Sequence, residues 1–267
     1  MVSITMMILA DSASGADDWI VYTVGPGLVL LLVLGLVWRQ WKIRLFRAIK
    51  KGDLVKVQRL LKEGTNLKAR LNNGFTLLTC AAYHGRTQIM EKLLEHHADP
   101  DIKDGIGFTA LSIAIEKANL PMAKTLLAGG ADVNVRTNAN LTPLMFASMG
   151  QQVELVKALL DHGADVNAVE DKMTGGTALM VSAGAGSLPI VELLLSKGAN
   201  VQQKDRTGRM ALIYAVKYEH LPIVKTLLSH GADASIGDST GMTPLKLARE
   251  KNQAEVIRLL EQAGAKE

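Results

Sequence analysis

Residues 142–167 read TPLMFASMGQQVELVKALLDHGADVN, and this stretch decides the fold. It has a Thr-Pro-Leu start at 142–144, a pair of leucines at 159–160 and a Gly-Ala-Asp ending at 163–165. The leucine pair suits the buried face of a helix. The glycine stands just past the end of that helix, where a left-handed cap is needed. The stretch therefore predicts a short helix closed by a glycine.

Both ends of this stretch recur along the chain at an almost constant interval. The Gly-Ala-Asp type of ending lies at 97–99, 130–132, 163–165, 198–200, 231–233 and 264–265. The Thr-x-Leu type of start lies at 76–78, 109–111, 142–144, 177–179, 210–212 (as Met-Ala-Leu) and 243–245. For each marker the successive spacings are 33, 33, 35, 33 and 33 residues. Two independent markers in one register predict an internal repeat.

With these markers the sequence resembles the ankyrin-repeat family over residues 44–265. The resemblance rests on the Thr-Pro-Leu start, the following alanine, the leucine pair and the Gly-Ala-Asp-Val-Asn ending at 163–167. It implies an all-α fold, an ankyrin-repeat solenoid of about seven helix-pair repeats joined by hairpin turns. The expected repeats span about 44–70, 71–103, 104–136, 137–169, 170–203, 204–236 and 237–265.

Residues at fixed places in the repeats fit this packing. Small residues that let neighbouring helices approach are expected at Ala81, Ala114, Ala147, Ser182, Ala215 and Ala248. Prolines expected at the start of the second helix are Pro121, Pro189 and Pro222, and the glycines just past its end are Gly130, Gly163, Gly198 and Gly231. Because one repeat cannot bury its apolar face alone, we expect stability to come from stacking.

Two features depart from the family pattern. The family's usual His after Thr-Pro-Leu is replaced by Thr79, Ser112, Met145, Met180, Ile213 and Lys246, which predicts turns that are braced less firmly. The fifth repeat carries two extra residues within 170–176, and we place them in the hairpin tip, where an insertion costs little. Gly184, Ala185 and Gly186 follow nearby, so we expect this region to be the least rigid.

An uncharged apolar run precedes the repeats. Residues 20–37 read IVYTVGPGLVLLLVLGLV. The three tryptophans of the chain, Trp19, Trp38 and Trp41, flank it. A helix of about 18–20 residues rises roughly 27–30 Å, the thickness of a bilayer's hydrocarbon core. The sequence therefore predicts one transmembrane helix at 19–38 after an extracytoplasmic segment at 1–18, with the lipid bilayer as a partner.

The positive charge of the chain is concentrated next to this run. Residues 39–51 hold six bases and no acid, whereas the chain from 52 onward holds 24 bases and 23 acids. By the positive-inside rule this basic juxtamembrane segment marks the cytoplasmic side. We therefore expect a single-pass protein with its N-terminus outside and its repeats in the cytoplasm. Near-neutral repeats and 4% aromatic residues argue against a nucleic-acid partner.

Two details of the N-terminal region leave alternatives open. Small residues at 12–16 resemble a signal-peptide cleavage site. Cleavage there would still leave the apolar run, so an uncleaved anchor is the preferred interpretation. Gly25-Pro26-Gly27 is either a tolerated kink or a packing site for a second membrane helix.

Groups that could carry out chemistry are sparse. The lone Cys80 can form neither an intrachain disulfide nor a multi-cysteine metal site, and we expect it to be packed inside a helix. His96 and His97 form the only adjacent His pair, but no further ligands are spaced to help. His97 takes the helix-capping position usually held by Gly. We therefore predict no enzyme activity, no catalytic residue, no metal and no cofactor.

The remaining function is recognition of a protein partner. In the ankyrin family, partners dock on the hairpin tips and on the exposed end of each first helix, so the resemblance implies binding residues there. They are Phe75, Tyr83, His84, Phe108, Glu116, Lys117, Leu141, Met149, Arg209, Lys217, Tyr218 and Met242. Phe75, Phe108 and Leu141 form an apolar row that is either exposed for binding or folded against neighbouring hairpins.

These expectations favour a scaffold or adaptor that holds a protein partner at the cytoplasmic face of a membrane. Tethering raises the effective concentration of the repeats toward membrane partners. The alternative is a regulatory subunit of a membrane or exported complex, with the repeats on the extracytoplasmic side. A small-molecule site would need a cleft with converging polar groups, which a thin solenoid rarely has.

Overall fold

The computed structural model describes residues 4–9, 19–24, 41–64, 66–71 and 74–266. Within these residues fourteen helices follow one another in chain order. They are α1 (41–51), α2 (Leu54–Lys62), α3 (Leu77–Tyr83), α4 (Thr87–Glu95), α5 (Ala110–Glu116), α6 (Leu120–Ala128), α7 (Pro143–Met149), α8 (Val153–Asp161), α9 (Ala178–Ala185), α10 (Leu188–Ser196), α11 (Ala211–Lys217), α12 (Leu221–Ser229), α13 (Pro244–Glu250) and α14 (Ala254–Gln262). The seven helix pairs expected from the sequence are confirmed.

The helices stack in two layers. From α3 to α13, the first helix of each pair packs against the first helix of the next pair. From α2 to α14, the second helices do the same. The small residues predicted between neighbouring helices, Ala81, Ala114, Ala147, Ser182, Ala215 and Ala248, have no exposed surface. Because a protein interior is closely packed, a larger side chain at these positions would push the layers apart.

In five repeats the first helix begins with a side-chain cap from a threonine, whereas α11 follows Met210, which makes no such cap. The hydroxyl oxygen of Thr142 accepts the backbone N–H of Met145 at 3.3 Å. The same bond is made by Thr76, Thr109, Thr177 and Thr243. Each cap satisfies a donor that the first turn of a helix leaves without a partner. The hydroxyl of Thr79, which replaces the family's His, also accepts the backbone N–H of Thr76 at 2.8 Å. Thr76 and Thr79 therefore cap the first turn of α3 by a reciprocal pair of hydrogen bonds.

The second helix of a repeat begins and ends as predicted. Pro121, Pro189 and Pro222 lie in the first turns of α6, α10 and α12. The predicted capping glycines Gly130, Gly163, Gly198 and Gly231 have φ between 81° and 85°. His97 stands in the same place after α4 with φ 64°, a left-handed conformation in which a side chain is strained. The capping role assigned to His97 is therefore confirmed.

The N-terminal region departs from the predicted all-α fold. Strands β1 (Ile4–Leu9) and β2 (Trp19–Val24) pair antiparallel, with Ile4 opposite Val24. The structure therefore differs from the transmembrane helix predicted at 19–38 over its first six residues, which form a strand. Ile, Val, Tyr and Thr fill this stretch and favour strands, and an apolar run without periodicity does not separate helix from strand.

The rest of the predicted membrane segment lies outside the described residues, including the Gly25-Pro26-Gly27 kink and the stretch up to residue 40. The same holds for most of the N-terminal segment predicted at 1–18. Among the helices formed by described residues, none combines the length and the apolar character needed to span a bilayer.

Candidate functional site

Six hairpin turns carry the predicted tip residues. The backbone N–H of Asp104 donates to the carbonyl oxygen of Phe108 at 2.8 Å, which closes the turn between them. Equivalent bonds of 2.9–3.0 Å join Leu71 to Phe75, Thr137 to Leu141, Glu170 to Gly176, Asp205 to Arg209 and Asp238 to Met242. The predicted tip residues are thus the closing residues of the hairpins, just below each apex.

The predicted apolar row lies largely against the protein. Phe75, Phe108 and Leu141 are half-buried and pack against the core. The ring centroids of Phe108 and Phe146 are 5.7 Å apart, and those of Phe75 and Tyr83 are 5.6 Å apart. Rings at such separations stabilise each other. Of the two alternatives, the structure supports a row folded against its neighbours, with part of each side chain still accessible.

A cluster of side chains lies at the ends of α3 and α5. Tyr83 is the last residue of α3 and is 52% exposed. Lys117 Nζ lies 4.5 Å from the centroid of the Tyr83 ring, and the His84 ring meets Tyr83 edge-on at 5.2 Å. A cation at this distance is attracted by the face of the ring. We call Phe75, Tyr83, His84 and Lys117 the N-terminal cluster.

The N-terminal cluster lies in a positive electrostatic environment. Burial lowers the pKa of His84, and the positive charges of Lys50, Arg86 and Lys117 lower it further. His84 is therefore neutral at pH 7, while the groups that act on it are all cations. Among the predicted binding residues nearby, Glu116 is exposed at the end of α5.

A second cluster lies at the end of α11. Tyr218 is 49% exposed, and Lys217 Nζ lies 5.3 Å from the centroid of its ring. The hydroxyl of Tyr214 donates to Asp205 at 2.6 Å. We call Tyr214, Lys217 and Tyr218 the C-terminal cluster. Its two tyrosines line a cavity of about 340 Å³ together with Thr174, Gly176, Met180, Val181 and Gly184.

Ionisable groups beside the C-terminal cluster are held in fixed states. Burial raises the pKa of Tyr214, and the hydrogen bond to Asp205 raises it further, to about 12. Burial also acts to raise the pKa of Asp205, but the hydrogen bonds from Tyr214 and Thr207 outweigh it and lower the pKa. Arg209, a predicted binding residue, is half-buried and its Nε donates to Asp238 at 3.0 Å. This arrangement gives Arg209 a structural role.

Six of the twelve predicted binding residues lie in the two clusters, and the other six lie outside them, so the twelve do not form one continuous site. Between the clusters, the ends of α7 and α9 present Met149, which is 52% exposed, and the small residue Gly184. Met242 closes the last hairpin and is half-buried.

The most exposed apolar side chains on the hairpins were missed by sequence reasoning. Ile106 is 68% exposed at the apex between Asp104 and Phe108. Met173 is 58% exposed in the hairpin at 170–176, which carries the two extra residues and which we call the inserted hairpin. The signal was present, because Ile106 stands between two glycines, where an apolar side chain has no neighbour to pack against. The apex residues, more than Phe108, present apolar surface to a partner.

The inserted hairpin is organised around one carboxylate. Glu170 is 2% exposed and accepts the backbone N–H groups of Lys172, Met173, Thr174 and Gly175. Burial acts to raise the pKa of Glu170, and these four bonds outweigh it and lower the pKa. The region expected to be the least rigid is thus closed by hydrogen bonds of its own.

The inserted hairpin is also bonded to its neighbours. Lys172 Nζ donates to the carbonyl of Asn138 at 2.6 Å, and the backbone N–H of Arg206 donates to the carbonyl of Thr174 at 2.8 Å. Side-chain bonds from Arg206 and Asn140 to Asp171 add to this connection. The insertion therefore joins three consecutive hairpins.

Residues with reactive side chains are engaged in packing. Cys80 is 3% exposed, as expected, and burial raises the pKa of its thiol to about 11, so it is protonated at pH 7. His96 Nδ1 lies 2.9 Å from the carbonyl oxygen of Lys92. In the part of the chain that the structure describes, no group of three or more His, Cys, Asp or Glu side chains is placed to hold a metal.

Stacked helix pairs whose hairpins and helix ends present accessible side chains define a repeat solenoid with a recognition surface. The family described as "Ankyrin repeats (3 copies)" matches residues 45–137, 130–205 and 199–266. The chain therefore belongs to the ankyrin-repeat family. Ankyrin repeats generally mediate protein–protein interaction, and this is a non-enzymatic interaction fold.

Two similar proteins extend this comparison. The crystal structure of the ankyrin repeat domain of Bcl-3, a unique member of the IkappaB protein family, has a TM-score of 0.74 and 32% sequence identity. The similarity covers 80% of this chain and 97% of that one. The mouse protein 2-5A-dependent ribonuclease is 44% identical over 57 residues, which are 21% of this chain and 8% of the ribonuclease. The chain thus matches only a small part of that enzyme.

Proposed function

We propose that this chain is a scaffold or adaptor that binds a protein partner through the N-terminal cluster and the neighbouring hairpin apices. The observation that carries the proposal is the exposed ring of Tyr83 with Lys117 Nζ 4.5 Å from its centroid. The two residues lie at the ends of successive first helices, so the contact connects two repeats into one surface.

Tyr83 has the properties of a residue that contributes strongly to binding. Half of its surface is accessible, and Phe75, His84 and Lys117 hold its ring in place. A ring that is already positioned loses little conformational entropy when it is covered by a partner. Tyrosine is also enriched among the few residues that dominate interface energies. Ile106, at the apex of the next hairpin, adds apolar surface.

The proposal includes a tether to the cytoplasmic face of a membrane. It is supported by the uncharged run at 20–37, the flanking tryptophans and the six bases at 39–51. If Trp19–Val24 stayed a strand, residues 25–37 would give a helix of only about 20 Å, too short for the hydrocarbon core. The tether therefore requires this strand to become helical in the bilayer.

Membrane insertion is tested with the full-length chain expressed in cells. The chain is expected to resist extraction from membranes by alkaline carbonate, and a Leu31→Arg/Val33→Arg variant is expected to be released, because each charge at a span centre costs about 2.5–3.5 kcal/mol. Protease added to sealed vesicles of either orientation tests the side of the repeats. If the protease digests the repeats only from the extracytoplasmic side, the proposed topology is wrong. The alternative, a regulatory subunit with its repeats on the extracytoplasmic side, then takes its place.

Partner binding is tested by crosslinking in intact membranes, followed by mass spectrometry. Tyr83→Ala/Lys117→Ala is expected to lose one defined crosslinked protein that the parent chain captures. Val55→Ala is the matched control, because Val55 is 78% exposed on α2, in the layer of second helices. A set of captured proteins that is the same for all three chains would refute the proposal, as would equal loss in the control.

A further inference from the structure

A cavity next to the N-terminal cluster combines apolar walls with a positively charged rim. It has a volume of about 270 Å³ and lies between α1, the hairpin that Leu71 and Phe75 close, and α3. Its lining residues are Ile43, Phe46, Arg47, Lys50, Leu71, Phe75, Cys80 and His84. Phe46 and Cys80 are buried, whereas Arg47 and Lys50 are exposed at the end of α1. The cavity is therefore apolar inside and cationic at its entrance.

The charged side chains among the described residues that line this cavity are of one sign. None of these described lining residues carries a carboxylate. Lys50 acts electrostatically on both Cys80 and His84, and Arg86 and Lys117 act on His84 as well. The guanidinium of Arg86 is held near by a 3.0 Å bond to the carbonyl oxygen of Lys50. Such a concentration of positive charge beside a low-dielectric wall attracts anionic groups.

The size of the cavity and its position limit what can occupy it. Its volume lies just below the range of about 300–1,000 Å³ typical of small-molecule pockets, and it suits one apolar side chain. Phe75 lines the cavity and also contacts Tyr83, so the cavity opens directly onto the N-terminal cluster. A peptide that covers Tyr83 and Phe75 therefore passes beside this cavity and can place one side chain in it.

We propose that this cavity binds an acidic peptide segment of the protein partner, with one apolar side chain of the segment inserted between Phe46 and Phe75. Flanking carboxylates of the segment pair with Arg47 and Lys50. This inference rests on the proposed function and adds the chemistry of the partner. A membrane of anionic lipid is the competing occupant, but a flat lipid surface has no single side chain to fill an apolar recess.

The test uses the full-length chain in a neutral detergent and short fluorescein-labelled peptides. One peptide contains Glu, Asp and a central Leu, a second replaces Leu by Ser, and a third replaces the acids by Lys. Fluorescence anisotropy is expected to show salt-sensitive binding of the first peptide alone. The Arg47→Glu/Lys50→Glu variant is expected to weaken this binding by about tenfold or more, because like charges then face each other.

Two further variants separate the cavity from general effects of charge. Lys62→Glu/Lys124→Glu makes the same change in net charge at exposed sites on α2 and α6 and is expected to bind normally. Ile43→Trp fills the cavity from α1 without a change of charge and is expected to weaken binding as much as the charge reversal. Equal weakening in the control pair, or normal binding by Ile43→Trp, would overturn the inference.

Other outcomes identify which proposal fails. The parent chain could bind none of the three peptides and yet bind phosphatidylserine vesicles in a manner that needs Arg47 and Lys50. In that case the cationic rim binds lipid and the inference is wrong. If capture of a protein in membranes requires Tyr83 and Lys117 but not Arg47 and Lys50, the proposed function stands and the inference falls. Both the proposed function and the inference are supported if capture is lost in Tyr83→Ala/Lys117→Ala and in Arg47→Glu/Lys50→Glu. The parent chain must also bind only the acidic peptide that contains leucine.

Discussion

Arg209 Nε donates a hydrogen bond of 3.0 Å to Oδ2 of Asp238, one repeat further along the chain. The other carboxylate oxygen of Asp238 accepts the backbone N–H and the hydroxyl of Thr240 and the backbone N–H of Met242. The side chain of Asp238 is 2% exposed. One carboxylate thus closes its own hairpin and joins it to the preceding one.

The stability contributed by Asp238 is expected to depend on pH. The hydroxyl of Thr240 is the largest influence and, against the effect of burial, it and the neighbouring donors lower the pKa of Asp238 to about 2. Because this lies below the unfolded value of about 3.9, the stabilisation is complete above roughly pH 5 and is lost as the pH falls toward 2. Asp238→Asn should lower the free energy of unfolding by about 1–2 kcal/mol at pH 7 and by much less near pH 2.

Asp104 is the matched control for Asp238. Its Oδ1 accepts the backbone N–H groups of Ile106 and Phe108, whereas its Oδ2 has no hydrogen-bond partner among the described residues. Asp104→Asn should therefore cost under about 1 kcal/mol at pH 7, since no charged pair is broken. Urea denaturation followed by circular dichroism at a series of pH values measures both variants. Equal losses for the two at pH 7, or no change in the loss at Asp238 with pH, would contradict the prediction.

The repeats could be predicted from the sequence because their markers report local structure. A proline in a first turn, a left-handed glycine and a fully buried alanine each act within a few residues, so the spacing of Gly163 and its equivalents defines the helices. The N-terminal strand pair could not be predicted, because an apolar run suits either helix or strand and its own residues do not reveal that Trp19–Val24 pairs with Ile4–Leu9.

The candidate site was predicted less completely for a related reason. The position of Tyr83 and Phe108 in the repeat makes them equivalent to docking positions of the family. Whether such a side chain is exposed to solvent depends on which side chains of the next repeat pack against it. Phe108 is half-buried because Phe146 stands beside it, whereas Ile106 is exposed because no side chain covers it. The hydrogen bonds to Glu170 form only because the backbone of residues 172–175 folds around its carboxylate. The presence of two extra residues in the sequence does not reveal that conformation.

A row of side-chain bonds between repeats predicts a stabilising substitution at Asp101. Asn134 accepts the backbone N–H of Asp165 at 2.9 Å and donates to the carbonyl of Gly163 at 3.4 Å. Asn167 repeats both bonds, to Asn200 and Gly198. Asp101 stands at the same place and accepts the backbone N–H of Asp132 at 2.9 Å, but its carboxylate has no proton to donate. An asparagine there could make both bonds.

Asp101→Asn should raise the free energy of unfolding by about 0.5–1 kcal/mol at pH 7. Burial raises the pKa of Asp101; the bond from the Asp132 backbone opposes this, and the charges of Asp132 and Asp99 add to the increase. An acid whose pKa is raised on folding destabilises the fold when ionised, so the gain should shrink as the pH falls through the raised pKa toward the unfolded value of about 3.9. The reverse change, Asn167→Asp, is the control and should be destabilising at pH 7. A loss of stability in Asp101→Asn would refute this account of the row.

Glu170 is expected to control the order of the inserted hairpin. Glu170→Ala leaves four backbone N–H groups between Lys172 and Gly175 without their acceptor, at a cost of about 1–3 kcal/mol. Hydrogen exchange should show protection of these amides in the parent chain and its loss in the variant. Glu192→Ala, at an exposed carboxylate on α10, is the control and should leave their exchange unchanged. Rapid exchange of these amides in the parent chain would instead support the flexible hairpin expected from the sequence.

His97 is expected to be a site of strain that glycine relieves. Its φ of 64° holds a side chain where the other repeats have glycine, while its backbone N–H donates to the carbonyl of Leu94 at 2.8 Å. A left-handed conformation costs about 1–2 kcal/mol for a residue with Cβ, and the greater freedom of glycine in the unfolded chain offsets part of this. His97→Gly should therefore raise the free energy of unfolding by about 0.5–1 kcal/mol. His162→Gly is the control, because His162 has φ −96° one residue before Gly163, and it should lower stability by a similar amount. Urea denaturation distinguishes the two directions, and a loss of stability at His97 would show that its imidazole contributes more than its backbone conformation costs.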